Sequence, residues 1–180
     1  MTATMPKLSV RRTLLAALLA ITAFGPALDS SPARAQPADA LPPIERLVVY
    51  KAERRMLAYA GGQVVHTFEH IQLGDAPIGP KQFRGDEKTP EGAFVIDYGN
   101  PNSAYHLSLH ISYPDAAARA AAARAGRSPG GDIFIHGQPN DWDGPRIAGD
   151  WTDGCIALSN DEIELLWAAV ADGTPIEIKP

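Results

Sequence analysis

The chain has 180 residues, 16 basic and 21 acidic, for a formal net charge of −5. That acidic balance, with no long basic tract, argues against a nucleic-acid binder or a protein held by charge on an anionic membrane. A single cysteine, Cys155, rules out an intramolecular disulfide framework.

Lys7, Arg11 and Arg12 precede an apolar run from Leu14 to Phe24, and a small-x-small site, Ala33-Arg34-Ala35, follows. This is the pattern of a secretory signal peptide over 1–35, removed after Ala35. Export to the periplasm or cell wall is therefore expected. The 11-residue run is too short for a helix across a bilayer core of ~30 Å, which counts against an uncleaved anchor. SVRRTLL hints at twin-arginine export but lacks much of that signal. The mature chain, 36–180, is long enough for one domain with a sizeable core. It keeps 12 basic and 20 acidic residues, net −8.

Residues 36–45 are a short extended linker, and the domain spans 46–180. Segments 46–52 and 55–60 are strands. Gly61-Gly62 marks a hairpin turn, with 63–73 as its return strand. A Gly/Pro-rich loop fills 74–92, and loops of that length are more often functional than passive. Further strands are expected at 93–99 and 105–112. PDAAARAAAARAG (114–126) is a helix with proline near its start and Gly126 past its end. Its apolar face is only alanine, so thin packing is expected.

Residues 132–137 (DIFIHG) and 155–158 (CIAL) are short strands. In 159–173, Ser159 and Glu162 fit a capping box. Ile163, Leu166, Trp167 and Val170 form one apolar stripe, which is core packing. PIEIKP closes the chain with a strand. Strands dominate without βαβ alternation, so the fold class is mainly β, a sandwich or barrel with two helices.

In GDWTDGCIAL the cysteine follows a tight turn. Gly154 permits unusual backbone angles and close approach of a substrate. Consecutive N–H groups in such a turn can converge on an oxyanion. An unpaired cysteine in an exported protein points to a reactive thiol or to intermolecular pairing, with a small buried hydrophobe as the structural alternative. A nucleophilic thiol needs a base. His66 and His70 share one face of the return strand and read as partly exposed strand residues. His106 and His110 share a face of their own strand. Four residues along a strand is roughly 13 Å, too far for two ligands of one metal. His136 ends the apolar strand IFIH beside Gly137, 19 residues before Cys155. A loop rich in Gly, Pro, Asp and Trp connects the two and permits a fold-back, so imidazole and thiol are expected within hydrogen-bond reach.

IFIHG followed by WTDGCIALS resembles the signature of the L,D-transpeptidase (YkuD-like) catalytic domain. DEKTPEGAFVI (86–96) resembles the family's Thr-Pro-x-Gly segment, and MLAYAGGQVV its opening hairpin. The resemblance covers roughly 46–179. It implies an L,D-transpeptidase-type β-sandwich with two flanking helices, acting on peptidoglycan stem peptides. Cys155 matches the nucleophile and His136 its base. Gly137 matches the carbonyl that orients the histidine, and Gly154 and Cys155 match the oxyanion donors. Asp153 stands where the family has histidine, and Thr152 where it has Ser or Thr. A carboxylate aimed at the sulfur would raise the thiol pKa. Asp153 is therefore expected to point away, toward an arginine such as Arg146 or toward a substrate ammonium. His110, Arg146 and Thr152 are further candidates for contacting substrate.

The implied reaction is two-step acyl transfer from a tetrapeptide stem to an amine, or to water in an L,D-carboxypeptidase or endopeptidase. Carbapenem-type inhibitors are implied as covalent ligands. No cofactor, metal or nucleic acid is expected, and the chain is expected to be a monomer. A zinc peptidase using His106, His110 or His136, and a non-catalytic peptidoglycan-binding module, are the rival classes.

Overall fold

The structure is a computed structural model that describes residues 1–2 and 40–180. All but the first two residues of the expected signal peptide lie outside the described residues. Among the described residues no helix is long and apolar enough to cross a membrane.

Ten elements follow in order: β1 (Arg46–Tyr50), β2 (Arg55–Ala60), β3 (Gln63–Glu69), β4 (Gly92–Ser103), β5 (His106–Ile111), α1 (Ala116–Arg124), β6 (Ile133–His136), β7 (Ile156–Ala157), α2 (Asn160–Ala169) and β8 (Pro175–Lys179). The strands form one curled mixed sheet in the order β3-β2-β1-β8-β4-β5-β6-β7. Strand β4 makes the corner. Its first part, Gly92 to Val95, pairs with β8, and its second part, from Ile96, pairs with β5. The two halves so joined close on one core. Leu47, Val49, Met56 and Ile176 come from one half; Leu109, Ile111, Ile135 and Ile156 come from the other.

The turn at Gly61-Gly62 has φ of +56° and +73°, the left-handed pair that a two-residue hairpin needs. Helix α2 begins at the expected capping box: Glu162 N–H donates to Ser159 Oγ, and Ser159 N–H donates to Glu162 Oε2 at 2.9 Å. Ile163 and Leu166 are fully buried, and Trp167 and Val170 pack at the core's edge. Full burial of such a side chain contributes about 1.5–3 kcal/mol. Helix α1 starts one residue after Asp115, whose carboxylate accepts Ala118 N–H at 2.7 Å. Only Ala122 of this helix is buried, as an all-alanine face allows.

Three boundaries differ from expectation. Strand β3 stops at Glu69 because His70 has φ +57°. His66 and His70 therefore do not share a strand face. The chain beyond runs to an isolated bridge, Gln72 to Ala157. Strand β4 runs on to Ser103 through Pro101, which the sheet accepts at a register shift between Asn100 and Ser103. Helix α2 ends at Ala169, since Val170 is already extended.

Candidate active site

Thr152, Asp153 and Gly154 form the turn that delivers Cys155 to β7. The Thr152 hydroxyl donates to Cys155 O at 2.8 Å and accepts Gly154 N–H at 3.2 Å. Gly154 has φ +126°, and a Cβ there would overlap Lys88 O. Only glycine lets the 74–91 loop lie flat on this turn.

Strand β7 runs parallel to β6, with Ile135 opposite Ile156 and His136 opposite Ala157. Extending that register sets Cys155 opposite Phe134, which shares a strand face with His136. Cys155 and His136 both line a cavity of about 510 Å³.

His136 is 3% exposed. Its Nδ1–H donates to Gly137 O at 2.7 Å, which fixes the tautomer and leaves Nε2 as an acceptor. Burial pulls its pKa down to about 4, against the opposing pull of the Gly137 bond. The Tyr105 and Trp151 rings flank the imidazole, with centroids at 4.6 Å and 5.7 Å. Gly137 has no room for a side chain, because a Cβ would sit 2.6 Å from Asn160 Oδ1.

The Cys155 sulfur accepts Phe134 N–H at 3.4 Å, and its S–H faces Asp132 O at 3.6 Å. No hydrogen bond joins thiol and imidazole in this arrangement. Burial raises the thiol pKa to about 11; the Phe134 N–H opposes that rise, Asp153 adds to it, Lys81 opposes it and Asp132 adds to it. Both groups are therefore neutral near pH 7. Making the ion pair beforehand would cross about seven pH units, on the order of 10 kcal/mol. Mutual attraction at contact returns only about 4 kcal/mol. A proton leaving the sulfur as a bond forms to it avoids that cost.

Several expected site residues are placed otherwise. Thr152 is buried with its hydroxyl taken up inside the turn, so it braces the nucleophile's backbone, and it lines the cavity of Cys155. Arg146 pairs with Glu162 and donates to His70 O, far from any pairing with Asp153. Its place is at a separate cavity with Arg54, Gln72 and Asp150. His110 pairs with Asp97 at 2.5 Å and stacks on Tyr98, and it does not line the cavity of Cys155. Asp153 is exposed, lines that cavity without an ion-pair partner among the described residues, and its charge does bear on the sulfur. The expected pairing with Arg146 is thus corrected, while the alternative partner, a substrate ammonium, is untouched by this. The reason is that the basic residue nearest in sequence is held by the helix cap. Of the two expected oxyanion donors, Gly154 N–H is occupied by Thr152, while Cys155 N–H meets no acceptor among the described residues.

Other residues were not singled out by the sequence. Gln138 is a buried hub: it donates to Leu158 O and Gln72 Oε1, and its Oε1 accepts Ile147 N–H. It ties the end of β6 to the 140–150 loop. Trp151 and Tyr105 wall the imidazole, and Lys81 and Arg84 enter the cavity from the long loop. Their one advance signal is that loop's length. Among the described residues no three His, Cys, Asp or Glu side chains converge as a metal site requires.

A curled, mainly-β sheet with a thiol and a tautomer-fixed imidazole in one cavity has the layout of a cysteine acyl-transfer domain. The chain belongs to the L,D-transpeptidase catalytic domain family, YkuD, whose sequence pattern matches residues 44–178. Among solved structures it is similar to the helical cell shape determining protein Pgp2 of Campylobacter jejuni, at 27% identity and TM-score 0.58, covering 78% of this chain and 50% of that one. It is also similar to Bd1075 of Bdellovibrio bacteriovorus, at 23% identity and TM-score 0.53, covering 76% and 48%. An Enterococcus faecium L,D-transpeptidase shares the fold at 18% identity and TM-score 0.50, covering 77% and 50%. The chain spans about half the length of these structures. No curated protein sequence matches it.

Proposed function

We propose that this chain is an exported L,D-transpeptidase that uses Cys155 to acylate itself on a peptidoglycan tetrapeptide stem. The observation that carries the reading is that Cys155 and His136 line one cavity, with His136 Nδ1–H held on Gly137 O and Nε2 left to accept a proton. In the first step the Cys155 sulfur leaves Asp132 O and attacks the carbonyl carbon after the third stem residue. Its proton passes to His136 Nε2 as the C–S bond forms. The oxyanion takes the free Cys155 N–H. The C–N bond then breaks, and His136 returns the proton to the leaving D-Ala amine, giving a thioester. In the second step an acceptor amine attacks the thioester and loses its proton to His136. The C–S bond breaks and the thiol is restored. Water in place of the amine would give a tripeptide product.

Membership of the family supports the substrate class, and with it a site of action outside the cytoplasm. The cell-shape role in the name of the Campylobacter protein agrees with action on the wall. A related structure is of a carbamoyl enzyme formed with avibactam, and a carbapenem is proposed to add to Cys155 in the same covalent manner. The test is mass spectrometry of a purified disaccharide-tetrapeptide incubated with the protein. A cross-linked dimer supports transpeptidation, and a tripeptide assigns water as acceptor. Absence of both, in protein whose thiol is intact, refutes the proposal.

A further inference from the structure

The long loop carries two cations to the cavity of Cys155, Lys81 and Arg84. Lys81 is unusual. Its side chain is only 3% exposed, and its ammonium makes one bond, to Asp86 Oδ1 at 2.8 Å. An ammonium has three donors, so two are without a partner among the described residues. Buried charge is costly unless its donors are filled. The Asp86 carboxylate does not balance Lys81 alone, since it also accepts the N–H groups of Gln82, Phe83 and Lys88. The stem of Lys81 is confined, because Gly130 passes it so closely that an added Cβ would sit 3.1 Å from its Cε. Arg84 is exposed at the same cavity, and its guanidinium has no partner among the described residues. A fork of N–H donors beside a half-satisfied ammonium suits a planar anion.

We infer that Lys81 and Arg84 form a carboxylate anchor that seats a carboxylate of the donor peptide within reach of Cys155. This rests on the acyl-transfer reading above and makes the two residues determinants of specificity. The leaving D-Ala carries the carboxylate closest to the bond that breaks, so a stem ending in a free acid is the ligand class. Glu87, Asp132 and Asp153 share the cavity and repel an anion, so the two cations must outweigh them locally for the anchor to act.

The test reads the thiol directly. Cys155 is alkylated with iodoacetate, an anion, and with neutral iodoacetamide at one pH, each rate normalised to that of free cysteine. The ratio of the two rates should fall about five-fold in Arg84→Gln, the size of one partly exposed ion pair, and should be kept in Arg84→Lys. Lys81→Gln should lower it further. If Lys81→Gln does not fold, Arg84→Gln decides alone. A ratio unchanged in Arg84→Gln overturns the anchor. A second measurement compares the tetrapeptide stem with its C-terminal carboxamide. A higher KM for the carboxamide in the wild type, lost in Arg84→Gln, supports the anchor; equal KM values overturn it. The alkylation ratio needs no stem turnover. A shifted ratio with no muropeptide product therefore keeps the anchor and refutes the proposed reaction, whereas turnover with an unchanged ratio does the reverse.

Discussion

Replacing Asp153 by asparagine tests how the charge around Cys155 is set. The wild-type thiol has a pKa of about 11, so about one molecule in a thousand is thiolate at pH 8. Free cysteine, near 8.5, is about a quarter thiolate there. The high pKa makes the remaining thiolate more nucleophilic by about ten-fold, so the net alkylation rate should be about twenty-fold below that of free cysteine. It should also rise about ten-fold per pH unit up to pH 10 without a plateau. Burial is the largest cause of the rise, and it remains in the variant. Asp153 is exposed, so removing its charge should accelerate alkylation only about two- to five-fold. High salt should shrink that difference. The assay is iodoacetamide modification followed by intact mass from pH 6 to 10. A wild-type plateau below pH 8 would mean a preformed thiolate and would sink the neutral-pair argument. No acceleration in Asp153→Asn would show that the carboxylate does not act on the sulfur.

Cys155→Ala should keep the fold and lose all turnover and all carbapenem adduct; residual turnover would remove Cys155 as nucleophile. His136→Gln should slow acylation by about 10²-fold or more, and burst kinetics with a stem substrate would report it. His136 also links stability to acid. Its folded pKa of about 4 lies below the ordinary 6.5, so its contribution is present above pH 6.5 and is lost as pH falls toward 4. The size is about 3 kcal/mol, and urea titrations should show a flatter pH dependence over that window in His136→Gln; matching slopes would contradict the burial argument. Gly154→Ala should destabilise by about 1–3 kcal/mol through its positive φ alone, with more from the clash at Lys88, and an unaltered urea midpoint would show that the turn can relax.

The local signals that proved legible were those with a short physical range. The capping box at Ser159 and Glu162, the Gly61-Gly62 turn and the stripe on 163–170 each depend on neighbours within one or two turns of chain. The placing of His136 and Cys155 at one cavity was legible for a different reason: His136 ends β6 and Cys155 directly precedes β7, each beside a glycine. What could not be read depends on contacts distant in sequence. Arg146 lies seven residues from Asp153, yet its partners are Glu162 and the carbonyl of His70. The sign of φ at His70 cut a strand that alternation alone would extend. Lys81 is separated from Cys155 by four elements of chain, β4, β5, α1 and β6, and nothing local marks it as a residue of that cavity. The same holds for Tyr105, whose ring reaches His136 only because β5 pairs with β6.

At the joint beneath the nucleophile, Gly74 and Gly154 face the carbonyls of Glu87 and Lys88 with no side chain between them; a Cβ on either glycine would collide with main chain. The stacking of main chain on main chain has a bearing on how this site can vary. The contact is made through the main chain of Glu87 and Lys88, so the identity of either residue can change without placing a side chain in this joint. Variation along the loop is therefore compatible with this joint wherever Gly74 and Gly154 stay fixed.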